Sequence, residues 1–400
     1  MKTKNISSAG AVLLICLVAL FFSSCSSGGK AGARKLFRVQ KAGKWGFIDK
    51  QGKIVIEPKF DRAGDFSEGL AQVENFKDSS QKGTILMEDV NCGYIDETGK
   101  FAIEPKFHSG TSREYRFSEG IAVFPASWFK PDGENSLAAE KTVAVDKTGK
   151  TLFELDANHK AIDAFSDGRL LVKVKEPQEN WEGTKGTKFK YGYVDKTGKF
   201  VIEPREMISA QPFSEGLASI YVFRNATKYD SSAYYGFIDT SGKTVIEAKY
   251  KESRSFHDGL AAVSETTGEY GFIDKDENWV GGKGYSTVSD FNEGVAIIPG
   301  YKSFQFRGKT NGDLYVRGDG TVLAQISEGL TIILDIKDKL QIIDKKGDVV
   351  AAVDESVPSS LSQNVDPEGF QGGLLQISDD KEIIYIDAAG KVVWREKTSV

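Results

Sequence analysis

The sequence predicts an all-β fold built from tandem repeats, each a β-hairpin plus one further strand. The repeats form a propeller-like or strongly curved array, with an open β-solenoid as the alternative. Three observations carry this reading. Glycine makes up 42 of the 400 residues, above the usual share of about 7%. Two short signatures recur along the chain, one opening on an aromatic-Gly pair and one reading Phe-Ser-Glu-Gly. The segments that carry them alternate apolar with polar residues, the period of a strand, and leave no helical stretch of useful length.

The first signature is Trp45-Gly46-Phe47-Ile48-Asp49. Gly46 and Ile48 share one face, and a glycine inside a strand marks the close approach of another backbone or ring. Asp49-Lys50-Gln51-Gly52 is a tight turn, with the carboxylate accepting backbone N–H groups and Gly52 taking φ > 0. Ile54-Val55-Ile56 is the return strand, and Pro58, with no N–H to donate, is expected to stop the ladder. The second signature, Phe66-Ser67-Glu68-Gly69, places a core aromatic before a second turn, whose glycine is expected where a side chain would clash. Leu70-Ala71-Gln72-Val73 then reads as an inner strand against a neighbouring unit.

The first signature returns at Cys92-Gly93-Tyr94-Ile95-Asp96, Tyr191-Gly192, Tyr235-Gly236 and Tyr270-Gly271, and in weaker form near Val143, Leu314, Gln341 and Ile384. The second closes on glycines 69, 120, 168, 216, 259, 294, 329 and 373, at intervals of 35 to 51 residues. The pattern resembles the WG-repeat family over residues 40–395. Tyr or Cys replaces Trp in most copies, and the glycine is lost at Ala144, Ile342 and Tyr385. The resemblance implies a β-rich repeat and no particular reaction. The expected organisation is a leader over 1–24, a modified cysteine with a flexible tether over 25–39, and one array over 40–400 of eight units plus a terminal hairpin. One unit cannot bury both its faces, so stability is shared between stacked neighbours.

The chain begins with a basic stretch (Lys2, Lys4) and an apolar run from Ala9 to Phe22. That run is too short to span a bilayer, where about 20 residues are needed, and suits a signal peptide. Phe22-Ser23-Ser24-Cys25, followed by Ser26-Ser27-Gly28-Gly29-Lys30, resembles a bacterial lipoprotein signal, although Phe22 is a loose fit to its first position. The resemblance implies acylation of Cys25, anchoring in the outer membrane and a place in the cell envelope. Acidic residues just after the cysteine, a mark of surface-sent lipoproteins, are absent from Ser26 to Lys30, so the periplasmic face is favoured over the cell surface. With Cys16 removed and Cys25 acylated, Cys92 is the single remaining thiol, so no internal disulfide is expected. The net charge of −5 argues against a nucleic-acid partner, which needs a basic face.

The acids Asp49, Asp96, Asp146, Asp195, Asp239, Asp274, Asp344 and Asp387 recur once per repeat, which points to turn capping, because a catalytic pair is singular. Asp274 to Asn278 lacks the glycine of a Ca²⁺ loop, and Trp279 stands in its place. Arg317-Gly318-Asp319 reads as a divergent hairpin turn. No nucleophile elbow, phosphate loop, dinucleotide fingerprint or zinc motif is present. No catalytic residue, metal or cofactor is expected, and the chain is read as a non-enzyme.

The functional lead lies in what does not repeat. Inserts at 74–91, 124–142, 173–190, 222–234 and 298–312 occupy one point of the unit, so they are expected to emerge on one side and build a binding face. They carry aromatics, among them Phe76, Tyr229 and Phe304, and the candidate ligand-binding residues are Trp128, Phe129, Trp181, Phe223 and Tyr234. The expectation is a lipid-anchored envelope scaffold that binds another envelope protein, with a glycan or peptidoglycan fragment as the alternative ligand and a hydrolase as a lesser one.

Overall fold

A computed structural model describes residues 35–76, 90–108, 114–126, 141–179, 185–223, 232–309, 314–379 and 381–397. The array beginning at Lys35 forms one compact unit. Its described residues build nine antiparallel sheets of three or four strands, the blades of a propeller. Helix among them is limited to one 3-10 segment, Ser359–Asn364. None of the described helices is long and apolar enough to cross a membrane.

The blade is offset from the sequence repeat. The hairpin Lys44–Ile48 and Ile54–Phe60 belongs to the first sheet, with Phe37–Lys41 on its other edge. The strand after the second signature, Leu70–Phe76, crosses to the second sheet, where it pairs with Val90–Asp96 between Arg62–Ala63 and Phe101–His108. Each repeat therefore ties two blades together covalently. Alternation along Leu70–Phe76 serves both sides. Ala71 and Val73 pack back onto the first sheet and Leu70 forward onto the third.

Nine hydrophobic clusters fill nine junctions between sheets. Eight join sheets that follow one another in sequence. The ninth packs Phe37, Val39 and Ile48 of the first sheet against Leu374, Ile383 and Tyr385 of the last. There the Tyr385 hydroxyl lies 2.9 Å from the Arg38 carbonyl as its donor, and the Phe37 and Tyr385 rings meet edge-on at 5.6 Å. The array is thus a closed ring. Closure is by face packing, because no strand of the last sheet, Leu374–Ser378, Glu382–Asp387 and Val392–Lys397, comes from the N-terminal end.

Three local expectations change. Pro58 does not end its strand. Ile54–Phe60 runs through it, and the register shifts between Trp45 and Phe47, so the proline sits at a bulge where no donor is required. That bulge is why the paired strand needs glycine. A Cβ on Gly93 in the second sheet would lie 2.6 Å from the Ile103 carbonyl oxygen. At the second turn the demand is on backbone angle and not on space. Gly69 has φ +85°, and a Cβ placed there would meet nothing within 4 Å, while Glu68 before it already has φ 51°. Arg317-Gly318-Asp319 lies inside the strand Leu314–Asp319, with the turn following at Gly320.

Candidate functional site

The register fixes two distinct ends. Leu70 faces Asp96 and Phe76 faces Val90 across the second sheet. Both tight turns therefore lie at one end and the long connections at the other. The same holds where Leu170 faces Val194 and Glu179 faces Lys185, and where Leu217 faces Asp239 and Phe223 faces Ala233.

At the tight-turn end the recurring acids are structural. Asp49 Oδ1 accepts the Gln51 and Lys53 N–H groups, each at 3.0 Å. Asp96, Asp146, Asp195 and Asp239 repeat this and also accept a Thr or Ser hydroxyl at 2.6 Å. That hydroxyl, aided by the backbone N–H groups, holds these carboxyls below the usual range. The acids of the second signature reach across junctions. Gly120 N–H donates to Glu68 at 3.0 Å, Gly168 to Glu119 at 3.0 Å, Gly216 to Asp167 at 2.6 Å and Gly259 to Glu215 at 2.8 Å. Gly294 donates to Asp258, Gly329 to Glu293 and Gly373 to Glu328, each at 2.7 Å. The preceding Ser67, Ser118, Ser166 and Ser214 donate to the carbonyl of the next signature aromatic. These groups are consumed in holding the ring, and no cluster of three or more His, Cys, Asp or Glu among the described residues is arranged to hold a metal.

At the insert end, the predicted residues divide. Cys25, Trp128, Phe129 and Trp181 lie outside the described residues. Phe223 ends its strand 50% exposed. Tyr234 is half-buried on the same hairpin, with Lys251 Nζ 3.9 Å from its ring centroid. Phe223 pairs with Ala233 and Tyr234 with Val222, so the two occupy opposite faces of the sheet. Phe304 is not an exposed loop aromatic. It is 2% exposed inside the strand Ser303–Gly308, packed against Phe306.

Two further features there escape the insert argument. Phe189, on Lys185–Val194, is 42% exposed beneath Lys173 Nζ at 3.9 Å. Tyr221 and Tyr235 stack across their hairpin at 4.3 Å and 19°. Both follow from carrying the strand alternation on through Phe189-Lys190-Tyr191 and Tyr221-Val222-Phe223, where the varying length reads as an insert.

The periodic acid-to-glycine bonds run between the turns at Glu68 and Gly373 and do not reach the seam between the last and first blades. A cleft of about 620 Å³ opens there, lined by Lys35, Phe66, Arg116, Asp366, Glu368 and Gln371 among others. Beside it Arg38 pairs with Asp65 at 3.3 Å and with Glu114, donates to the Ala63 carbonyl, and lies over the Trp45 ring. Arg116 binds both Asp65 and Glu114 at 3.0 Å. Burial opposes ionisation of Glu114, but the two guanidinium groups outweigh it and hold its carboxyl below the ordinary value, unlike a general acid. Sequence spacing does not reveal this network, because its members sit on two separate linkers and a strand.

The fold is that of a nine-bladed propeller-like repeat protein. The family model of the WG containing repeat matches residues 45–75, 93–124, 191–222, 235–265 and 270–298, and the chain belongs to the WG-repeat proteins. Each match starts at or just after the aromatic-Gly position and runs into the strand of the next blade, so the family's unit carries the same offset. The crystal structure of Citrobacter koseri AztD is similar to this chain at 15% identity, over 82% of this chain and 91% of that one, with a TM-score of 0.36. No curated protein matches the sequence.

Proposed function

We propose that the chain is a binding scaffold of the bacterial cell envelope, held to the outer membrane by acyl chains on Cys25 and facing the periplasm. Its partner on this reading is another envelope protein, engaged through the insert end. The observation that carries the proposal is the segregation of features along the blades. The tight-turn end is locked in periodic hydrogen bonds, whereas the insert end presents Phe189, Phe223, Tyr234 and the Tyr221–Tyr235 stack without periodicity. Aromatic side chains with lysines over their rings suit protein contact, since they bring large area at small conformational cost. A glycan remains the second reading, because the same rings can stack on a sugar. No reaction is assigned.

Pull-down of the protein from envelope extract, comparing wild type with Phe223→Ala plus Tyr234→Ala, tests the face. A partner recovered by wild type and lost by the double variant supports it, and unchanged recovery removes it. Trp128→Ala plus Trp181→Ala tests the remaining inserts in the same assay. Metabolic labelling with an alkynyl fatty acid, lost in Cys25→Ser, tests the anchor. Protease treatment of intact cells tests the orientation, and rapid loss of the protein would place it on the cell surface.

A further inference from the structure

We infer that the seam cleft is a binding site for a short zwitterionic peptide, separate from the insert face. The repeat is interrupted at this cleft. No second signature precedes the first sheet, and in the last copy, Phe370-Gln371-Gly372-Gly373, glycine replaces the acid that would reach the next turn. The aromatic next to the gap reports the consequence. Phe117, Phe165, Phe213, Phe256 and Phe370 are each at most 2% exposed, while Phe66 is only half-buried and forms part of the cleft wall.

The volume of about 620 Å³ falls within the range of small-ligand sites. Its charges are divided between the two banks of the seam. Lys35, Arg38 and Arg116 stand on the side of the first blades, together with Asp65, which Arg38 and Arg116 already answer, and Asp366 and Glu368 stand on the loop leading to the last. Arg116 already answers Asp65 and Glu114 yet remains 54% exposed. Lys35 Nζ donates to Gln371 at 2.6 Å, one of three possible bonds. Asp366 Oδ1 accepts the Glu368 N–H at 3.0 Å and Glu368 Oε2 accepts Gln325 at 2.8 Å. The second oxygen of each carboxylate has no hydrogen-bond or ion-pair partner among the described residues. A ligand with a carboxylate for the basic bank, an ammonium for these oxygens and an apolar middle for Phe66 matches all three. A peptide of two or three residues with free ends has that form. A neutral sugar would leave both banks unanswered, which is unfavourable where groups are partly desolvated.

Isothermal titration calorimetry with trialanine tests this, beside N-acetyl-trialanine and trialanine amide. Saturable binding of trialanine is expected, weakened at least tenfold by blocking either end. Asp366→Asn plus Glu368→Gln should weaken trialanine at least tenfold and abolish the penalty of N-acetylation. Lys35→Ala, at an exposed position, should do the same for amidation. A melting temperature within two degrees or so of wild type, checked for each variant, confirms that the fold survives. Absence of trialanine binding, or equal binding of the free and both blocked forms, overturns the proposal. Partner recovery through the insert face is independent of either result.

Discussion

Glu68 reaches out of its own turn to accept the Gly120 N–H at 3.0 Å, 52 residues away. Lys147 of the third blade closes on the same carboxylate at 3.0 Å and on the Glu68 carbonyl at 2.9 Å. Lys196 and Lys275 repeat the brace on Glu119 and Glu215. A backbone N–H in a turn with φ > 0 has no ladder partner, so each acid satisfies a donor its neighbour's geometry leaves open. Periodic carboxylates in this chain are therefore joints between blades.

Glu293 is the clearest test of that role, since its two oxygens accept the Glu328 and Gly329 N–H groups at 2.6 and 2.7 Å. Glu293→Ala should cost about 1.5 kcal/mol, the low end for hydrogen bonds to a charged group, because the carboxylate is exposed. Glu293→Gln, which keeps one acceptor, should cost less. Hydrogen exchange should quicken at Glu328 and Gly329 more than at Gly120. Equal exchange at both turns would show that the acid does not cap its neighbour.

Two glycine classes should respond differently to alanine. At Gly236 a Cβ would lie 2.6 Å from the Ile246 carbonyl oxygen, and the bulged strand cannot retreat without breaking its ladder. Gly236→Ala should cost about 3 kcal/mol as overpacking. At Gly216 there is open space but φ is +85°, so Gly216→Ala should cost about 1 kcal/mol for the left-handed conformation. Thermal melting of the two variants checks the order, and a larger loss at Gly216 would reverse the assignment of causes.

Acid should weaken the hairpin turns. Asp96, Asp146, Asp195 and Asp239 are held below the ordinary carboxyl value, chiefly by the Thr or Ser hydroxyl two residues on. A folded value below the unfolded one gives stability that is complete above about pH 4 and lost as pH falls through the folded value. Asp195→Asn should melt earlier at pH 7, and its melting temperature should fall less steeply than wild type below about pH 4. Parallel curves would show that Asp195 contributes nothing through its charge.

Cys92 is buried, and that burial, with Glu74 nearby, pushes its thiol up to about 12. The thiolate is the reactive form. Site-resolved mass spectrometry after iodoacetamide at pH 8 should find the Cys92 peptide unmodified in the folded protein and fully modified in denaturant. Rapid labelling under native conditions would mean that the second blade opens.

The period of Trp45-Gly46 and Glu68-Gly69 is legible because each answers a local demand, a bulge or a positive φ, that the chain meets afresh in every copy. Closure of the ring is not, since it depends on Phe37 and Val39, which carry no signature and meet Leu374 and Tyr385 only in three dimensions. The blade boundary escapes the sequence for a related reason. Sequence order keeps Leu70–Phe76 with the hairpin before it, whereas its hydrogen bonds go to the hairpin after it. Phe304 reads as part of an insert because Gly300 and Lys302 suggest a loop, but they form a tight turn between two paired strands. The seam cleft leaves only a faint trace in the sequence, the Gly372 that stands where other copies have an acid.

That interruption should make the seam the weakest junction of the ring. Among the described residues no acid-to-glycine bond crosses it, and its polar closure rests on the Lys35–Gln371 bond at 2.6 Å and on the Tyr385 hydroxyl, placed 2.9 Å from the Arg38 carbonyl and 2.8 Å from Gln376 Oε1. One hydroxyl hydrogen serves one acceptor at a time, so Tyr385→Phe removes a single bond and leaves a carbonyl at a buried site. A loss of about 1 kcal/mol is expected. In a repeat array, stability is a sum of neighbour terms, so the loss should appear where the term is lost. Hydrogen exchange should speed up in Phe37–Lys41 and Leu374–Ser378 and stay unchanged in Leu217–Phe223, across the fifth blade. Acceleration spread evenly over all three strands would mean that the ring opens as one cooperative body and that the seam is no weaker than any other junction.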